Sequence, residues 1–228
     1  TAYIKYEENA DYVLEIVYDD FSGNDAGYFS NDIAGSNNSY VSKVFTVDKV
    51  APVINVEYLN TDIINTIDGI DYYDNIQSAR ISITEHNFRT NDITSTISAV
   101  DLLGNNIAIE NYNEQLRNLS NWSKNGNTYS TEIVFSTDAN YTFDIAYFDL
   151  ANNNSSDYVQ DKFTVDKTKP ENLTISYSTS VFNTVIDSVS FGYYNAPVTV
   201  TITAEDRISG INYLTYSYLK ALGVSDLN

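Results

Sequence analysis

Apolar and polar residues alternate along much of this chain, with the period of two that is typical of β-strands. In the clearest run, residues 141–147, every second residue is Tyr, Phe or Ile. Successive side chains of a strand point to opposite faces, so such a run predicts a strand with one face in a core. Similar runs cover residues 12–18, 40–48, 53–58, 80–85, 93–100, 129–135, 173–177, 198–204 and 213–219. The pattern predicts an all-β protein.

Short polar stretches between these runs predict turns and loops. Asp68-Gly69 has the composition of a tight turn, although residues 59–78 around it are loosely patterned. The link at 138–140 separates the runs 129–135 and 141–147, which predicts that these two strands form a hairpin. Residues 111–127 are polar, and we interpret them as a loop with one helical turn.

One stretch occurs twice and divides the chain. Phe-Thr-Val-Asp-Lys stands at 45–49 before Pro52 and again at 163–167 before Pro170, and the two prolines are 118 residues apart (170 − 52 = 118). This spacing is about the length of one β-sandwich domain. It predicts three parts: the C-terminal part of one repeat at 1–50, a complete sandwich at 51–168, and the N-terminal part of a further repeat at 169–228. We therefore expect tandem sandwiches of which the first and the last are incomplete.

A second match supports this division. Tyr12 and Asp20 correspond to Tyr141 and Asp149 at an offset of 129 (141 − 12 = 129), and the offset falls to 118 at the repeated stretch. A Gly- and Asn-rich insertion at 24–38 accounts for the difference, because surface loops tolerate insertions. The proline at each joint has a fixed φ and no N–H, and the links are too short to be flexible linkers. Successive sandwiches are thus expected to lie end to end with limited bending.

The charge of the chain limits its partners. Lys and Arg number 12 and Asp and Glu number 31, for a net charge of −19 with His neutral. Nucleic acid and anionic membrane surfaces would repel such a chain, so neither is an expected partner. The composition is 43% hydrophobic and 14% aromatic, which opposes disorder. There is no Cys for a disulfide, and no apolar run approaches the roughly 18 residues of a membrane span.

Four motifs resemble the bacterial Ig-like repeats of large surface proteins of Gram-positive, often gut, bacteria. They are the turn Asp149-Leu150-Ala151-Asn152-Asn153 after a Tyr-Thr-Phe-Asp-Ile strand, the two joints, Glu85-His86-Asn87-Phe88 after an Ile-Ser-Ile strand, and residues 205–211. Residues 32–37 match the turn more loosely. Position 152 has Asn where the family usually has Gly, and both residues tolerate the left-handed conformation.

The resemblance implies tandem immunoglobulin-like β-sandwiches in an extracellular, cell-surface or secreted protein. It implies a non-enzymatic structural spacer or adhesion stalk, with neighbouring repeats of the same chain as partners. The alternative is a carbohydrate- or protein-binding module that uses the loops at 24–38 and 111–127 to bind a host or cell-wall glycan or protein. Trp122 and the 20 tyrosines keep this alternative open, because aromatic faces stack on sugars. Most of the tyrosines fall at inward positions of the alternation or at strand edges, so core packing is the favoured role of the aromatic residues.

Candidate chemistry is sparse. His86 is the single His of a chain without Cys, so no second imidazole or thiolate completes a catalytic or zinc site, and a structural hydrogen bond is its simpler role. We expect no enzyme activity, no catalytic or cofactor-binding residue, and no bound metal or cofactor. Calcium at the joints stays open as an alternative, with candidate ligands Asp48, Asp149, Asp166 and Asp206. A pair with the following Lys, or capping of the local turn, explains the joint Asp residues more simply.

Overall fold

The computed structural model describes residues 1–17, 20–24, 39–156, 158–178 and 197–217. In this part the protein is mostly β. We call residues 1–50 the N-terminal segment, 51–168 the central sandwich and 169–228 the C-terminal segment. In chain order the strands are β1 (Ala10–Tyr12), β2 (Glu15–Val17), β3 (Ser39–Val41), β4 (Phe45–Val47), β5 (Val53–Tyr58), β6 (Asn65–Ile67), β7 (Ile70–Tyr73), β8 (Gln77–Thr84), β9 (Ile93–Val100), β10 (Ser123–Asn125), β11 (Thr128–Phe135), β12 (Ala139–Tyr147), β13 (Asp161–Val165), β14 (Glu171–Tyr177) and β15 (Val200–Glu205), and the one α-helix of the described residues is α1 (Tyr112–Arg117).

Two sheets enclose the core of the central sandwich. One has the strand order β10-β11-β8-β5 and the other β6-β7-β13-β12-β9. Alternation explains why they face each other: in β8 and β12 every second side chain is buried. Both sheets contribute to one core, which contains Tyr73, Ala79, Ile81, Ile83, Ile93, Ala99, Tyr112, Leu116, Trp122, Ile133, Phe135, Ala139, Tyr141, Phe143, Ile145, Tyr147, Phe163 and Val165. The all-β prediction is confirmed.

The predicted hairpin of residues 129–135 and 141–147 is wrong. Both strands exist, but β11 pairs with β8 and β12 pairs with β9 and β13, so they lie in opposite sheets. The link at 136–138 is therefore an arch across the core. Its physical reason is aromatic packing, because the ring of Phe135 lies 5.0 Å, centroid to centroid, from that of Tyr141 in the facing sheet.

The strands predicted at 53–58 and 93–100 are confirmed with the same bounds. The strand predicted at 80–85 begins earlier, at Gln77, and ends at Thr84. The tight turn at Asp68-Gly69 is confirmed: both residues have positive φ (52° and 79°), as a type I′ turn requires, and β6 and β7 flank it. These two short strands were not predicted.

The polar stretch 111–127 contains more structure than one helical turn. The helix α1 is followed by a 3-10 turn at Leu119–Asn121 and by β10. The side chain of Asn111 caps α1 by accepting a hydrogen bond from the Glu114 N–H. Tyr112 and Leu116 point into the core, so the helix closes one side of the sandwich.

The N-terminal segment forms two small sheets instead of two long strands. β1 pairs with β4 and β2 pairs with β3, with breaks at 13–14 and 42–44. At the break the Ser42 hydroxyl accepts a hydrogen bond from the Leu14 N–H, and the Ser42 N–H donates to the Leu14 carbonyl. Most of the insertion predicted at 24–38 lies outside the described residues.

In the C-terminal segment β14 pairs with β15. These strands confirm the predicted runs 173–177 and 198–204 within a few residues. The strand predicted at 213–219 is not found in residues 213–217, and residues 218 and 219 lie outside the described part.

Candidate functional site at the two joints

The described chain passes from one sheet system to the next at two joints. The first joint is residues 48–52 and the second is residues 166–170. In each, the Asp side chain caps the turn: Asp48 Oδ1 accepts the Val50 N–H and Asp166 Oδ1 accepts the Thr168 N–H, both at 3.0 Å. The predicted turn capping is confirmed, and it brings the chain to the following proline in a defined conformation.

The lysine after each Asp does not pair with that Asp. Lys49 Nζ donates to the Glu7 carbonyl at 2.6 Å, and Lys167 Nζ donates to the Ser136 carbonyl. Glu7 and Ser136 are themselves 129 residues apart, the offset found in the sequence. The predicted local Asp–Lys pair is therefore wrong at both joints, and the Lys167 amine pairs instead with Asp138 at 2.8 Å.

The same recurrence holds in the strands that lead to the joints. The Tyr12 hydroxyl donates to the Glu8 carbonyl at 2.9 Å, and the Tyr141 hydroxyl donates to the Thr137 carbonyl at 2.8 Å. The ring of Tyr12 stacks on Phe45 as the ring of Tyr141 stacks on Phe163, with centroids 5.7 and 5.3 Å apart. The N-terminal segment and the central sandwich thus have a common local structure.

Two polar contacts cross the first joint. His86 Nε2 lies 3.4 Å from Asp11 Oδ2, and Asn153 Nδ2 donates to the Asp48 carbonyl at 3.2 Å. Asp11 and Asp48 belong to the N-terminal segment, whereas His86 and Asn153 belong to the central sandwich. The structural hydrogen bond that the sequence predicted for His86 is therefore present, and its partner is in the preceding segment.

The second joint has four crossing hydrogen bonds, two of which involve Arg207. The Leu102 N–H donates to the Arg207 carbonyl at 2.8 Å, and the Arg207 guanidinium pairs with Asp101 at 3.1 Å. Since a backbone N–H and a backbone carbonyl have little freedom, the first bond restrains the C-terminal segment relative to the central sandwich.

The other two bonds lie at the start of the loop after β15. Asn140 Nδ2 donates to the Ile208 carbonyl at 3.0 Å, and the Ser209 N–H donates to Asp166 Oδ2 at 3.2 Å. Asn140 occupies the position that Asp11 has in the N-terminal segment, since both accept the hydroxyl of a threonine in the paired strand. Corresponding side chains therefore reach across both joints.

A five-residue turn that begins with Asp and ends with Asn recurs in the chain, and two of its copies take part in these contacts. It spans residues 20–24, 101–105 and 149–153, and in each copy the Asp carboxylate accepts the N–H and the side-chain amide of the Asn. The fourth residue has positive φ in all three: 78° at Gly23, 83° at Gly104 and 66° at Asn152. Asn152 thus serves where Gly is usual, as the sequence indicated.

The turn at 101–105 gives a prediction on pH. Hydrogen bonds from the side chain and N–H of Asn105, with the Arg207 guanidinium in support, lower the pKa of Asp101 from its ordinary 3.8 to about 2. A carboxylate with a lowered pKa stabilises the folded state fully at pH values above its pKa in the unfolded chain, here the ordinary 3.8. This stabilisation is lost as the pH falls through the folded-state pKa of about 2. We expect the turn to persist at pH 3. A carbon-detected NMR titration of Asp101 would measure this, and an apparent pKa of 3.5 or above would contradict it.

The structure sorts the four Asp residues of the calcium alternative into two pairs. Asp48 and Asp149 meet at the first joint, and Asp166 and Asp206 meet at the second, where both accept the Ser209 N–H. Glu85, which follows β8, joins the first pair. One carboxylate oxygen from each of Asp48, Glu85 and Asp149 lies within 4.8 Å of the other two. The sequence pointed to Glu85 as part of the Glu85-His86-Asn87-Phe88 motif but not as a ligand, because a ligand 37 positions from the nearest other ligand has no spacing signal.

Glu85 is the unusual member of this cluster. It is 4% exposed, and its carboxylate accepts the Asn87 N–H at 2.9 Å. Burial raises the pKa of Glu85, and the negative charges of Asp48 and Asp149 raise it further. The surroundings of Glu85 therefore disfavour its negative charge.

Trp122 does not have the exposure that sugar stacking requires. It is 8% exposed, its Nε1–H donates to the Leu116 carbonyl at 2.8 Å, and its ring contacts Phe88 with centroids 5.0 Å apart. A buried indole cannot stack on a ligand, so the core packing that the sequence favoured for Trp122 is confirmed, and Trp122 gives no support to the glycan-binding alternative. The loop 111–127 around it contributes to the core through α1.

A scan against family models finds no matching family, and searches of curated proteins and of solved structures find no similar protein. Among the helices of the described residues, none has the length and apolar character needed to cross a membrane.

Proposed function

We propose that this chain is a non-enzymatic segment of tandem Ig-like sandwiches, which acts as a structural spacer or adhesion stalk of a bacterial surface protein. The observation that carries the proposal is the recurrence of one hydrogen-bond set at both joints. Capping by Asp48 recurs at Asp166, and the lysine-to-carbonyl bond of Lys49 recurs at Lys167. A joint that is built twice in the same way is expected where successive units keep a set relation to each other.

The contacts across the joints support limited bending. Inter-domain contacts are ordinarily loose, and relative motion is the default where the interface is small and polar. Here a backbone hydrogen bond between Leu102 and Arg207 accompanies a link that ends in a proline. A link of this length leaves little slack, so these bonds restrain rotation as well as separation.

The remaining parts of the proposal rest on the sequence. The net charge of −19 favours solubility and opposes self-association of stalks. One His and no Cys favour a non-enzymatic role. The extracellular, cell-surface location follows from the resemblance to bacterial Ig-like repeats.

Small-angle X-ray scattering on the whole chain, at low and at high salt, tests the spacer proposal. We expect an elongated particle of the same maximum dimension at both salts, because the short joints and not the charge set the shape. Four residues of alternating Gly and Ser, inserted between Thr168 and Lys169, should make the second joint more flexible and shorten the mean dimension of the particle. The same four residues added after Asn228 are the matched control and should leave the shape unchanged.

Two results would contradict the proposal. A compact particle at both salts would mean that the sandwiches fold back on each other. Extension at low salt alone would mean that charge repulsion sets the shape, since a Debye length of about 8 Å at physiological ionic strength screens it at higher salt.

A further inference from the structure

The carboxylate cluster at the first joint is a charged site without a cationic partner in the part of the chain that the structure describes. Asp48 is contributed by the N-terminal segment, whereas Glu85 and Asp149 are contributed by the central sandwich. Their oxygens lie within 4.8 Å of one another, and Glu85 and Asp149 are only 4% and 8% exposed. Among the described residues, no Lys, Arg or His forms an ion pair with any of the three.

The hydrogen bonds of the described residues do not satisfy this cluster. Asn153 binds both oxygens of Asp149. Asp48 Oδ1 accepts the Val50 N–H and Glu85 Oε1 accepts the Asn87 N–H, and no described residue donates to the second oxygen of either. Glu85 is 4% exposed and faces two further carboxylates, so a positive charge or a proton stabilises it.

The geometry suits a calcium ion. Ca²⁺ binds oxygen ligands at about 2.3–2.6 Å, so two oxygens on opposite sides of one ion are about 5 Å apart. The separations in the cluster fall within this limit. Mg²⁺ holds its ligands at about 2.0–2.1 Å in a near-ideal octahedron and keeps its waters, so a cluster of buried carboxylates suits it less well.

Solvent reaches the cluster from two sides. A cleft of about 480 Å³ is lined by Asp48 and Glu85, and another of about 440 Å³ is lined by Asp48 and Asp149. Hydrated ions can therefore approach, and waters can supply the ligands that three carboxylates leave open.

We propose that Asp48, Glu85 and Asp149 bind one Ca²⁺ ion, which links the N-terminal segment to the central sandwich. The ion neutralises the buried charge of Glu85 and adds a bond between the two sides of the joint. This site does not depend on the spacer role, because a cation bound between two segments stabilises their contact whatever the parent protein does.

The second joint provides an internal comparison. Asp166 and Asp206 share the Ser209 N–H there. The residue after Asp206 is Arg207, which always carries a positive charge, whereas the residue after Glu85 is His86. A third carboxylate within reach of this pair is not found among the described residues. We therefore assign the ion to the first joint alone.

Calcium titration of the whole chain, after treatment with a chelator and at constant ionic strength, tests the proposal. Isothermal titration calorimetry counts the sites, and the fluorescence of Trp122 reports thermal unfolding of the central sandwich, since Phe88 contacts Trp122 and lines the cleft beside Asp149. We expect one site with a dissociation constant on the order of 0.1–1 mM, as in extracellular modules. Ca²⁺ should raise the unfolding temperature, and Mg²⁺ should bind at least tenfold more weakly.

Two variants and one matched control locate the ion. Glu85→Gln and Asp48→Asn should each weaken Ca²⁺ binding at least tenfold, whereas Asp166→Asn at the second joint should leave it unchanged. Without calcium, Glu85→Gln should unfold at a higher temperature than the wild-type chain, because it removes a buried negative charge. A higher unfolding temperature of Glu85→Gln would show that the variant is folded and that its loss of calcium binding is local.

Several outcomes would overturn the site. One is that calcium gives the wild-type chain neither a heat of binding nor a shift in unfolding temperature. Others are unchanged binding in Glu85→Gln and Asp48→Asn, or loss of binding in Asp166→Asn. A further one is many weak sites that salt displaces, as diffuse counterion binding to an acidic surface would give. A negative result here leaves the scattering test of the spacer untouched. An elongated particle without calcium binding would separate the two ideas.

Discussion

Replacing Phe135 by Ala is expected to lower the free energy of unfolding of the central sandwich by about 3–5 kcal/mol. Phe135 is fully buried at the end of β11. Its ring centroid lies between 4.9 and 6.2 Å from those of Tyr112, Tyr141, Phe143 and Phe163. These rings come from the helix α1 and from the facing sheet, so the cavity opens where both layers meet. A domain of ordinary stability has about 5–15 kcal/mol in total.

Urea unfolding followed by the fluorescence of Trp122 measures this loss, because the single Trp of the chain is buried in the central sandwich. Phe148→Ala is the matched control, since Phe148 follows β12 in the same sandwich but is 48% exposed. It should change the stability by less than about 1 kcal/mol. If Phe135→Ala unfolded within 1 kcal/mol of the wild-type chain, the arch would not be the centre of the core.

The strands of the sandwich could be predicted because burial alternates along them. In β5 the half-buried positions are Ile54, Val56 and Tyr58, and they alternate with exposed positions. The same rule located β9 and β12. By contrast, all three residues of β6 are exposed and only Ile67 is apolar, so no alternation marks this strand. Its pairing with β7 depends on the tight turn at Asp68-Gly69, which the sequence did show.

The pairing of strands could not be predicted from alternation alone. Alternation shows which face of a strand is buried, but both a hairpin and an arch bury that face. The link between β11 and β12 is three residues long, which fits either. What decides is the partner of each strand: β8 and β9 arrive from elsewhere in the sequence and pair with β11 and β12 in separate sheets.

The candidate site depended on the same long-range geometry. Asp48 and Asp149 could be named from the sequence, since they stand at a joint and in a turn. Their convergence could not, because 101 residues separate them (149 − 48 = 101). Glu85 was missed as a ligand for the same reason. Core packing of Trp122 was expected and is confirmed, although composition does not show which residues its ring contacts.

Replacing Gln77 by Leu is expected to lower the free energy of unfolding by about 2–4 kcal/mol. Gln77 is fully buried. Its Oε1 accepts the N–H groups of Asn60 and Ser78, both at 2.9 Å, and its Nε2 donates to the Asn60 carbonyl at 3.0 Å. Leu has nearly the same shape but no polar group, so both backbone groups of Asn60 lose their partner. Each unsatisfied buried group costs about 1–3 kcal/mol.

The position of Asn60 makes this loss more than local. Asn60 lies in the link between β5 and β6, where the chain crosses from one sheet to the other. Gln77 is the first residue of β8, so its hydrogen bonds to Asn60 hold this link against β8. This role could not be predicted from the sequence, because a strand that starts at Arg80 places Gln77 in a polar loop. Gln160→Leu, at an exposed glutamine of the same sandwich, is the control and should change the stability by less than about 0.5 kcal/mol. Equal free energies of unfolding of Gln77→Leu and Gln160→Leu in urea would mean that water satisfies the backbone of Asn60 in place of the side chain. The link between β5 and β6 would then be held in place by the strands alone.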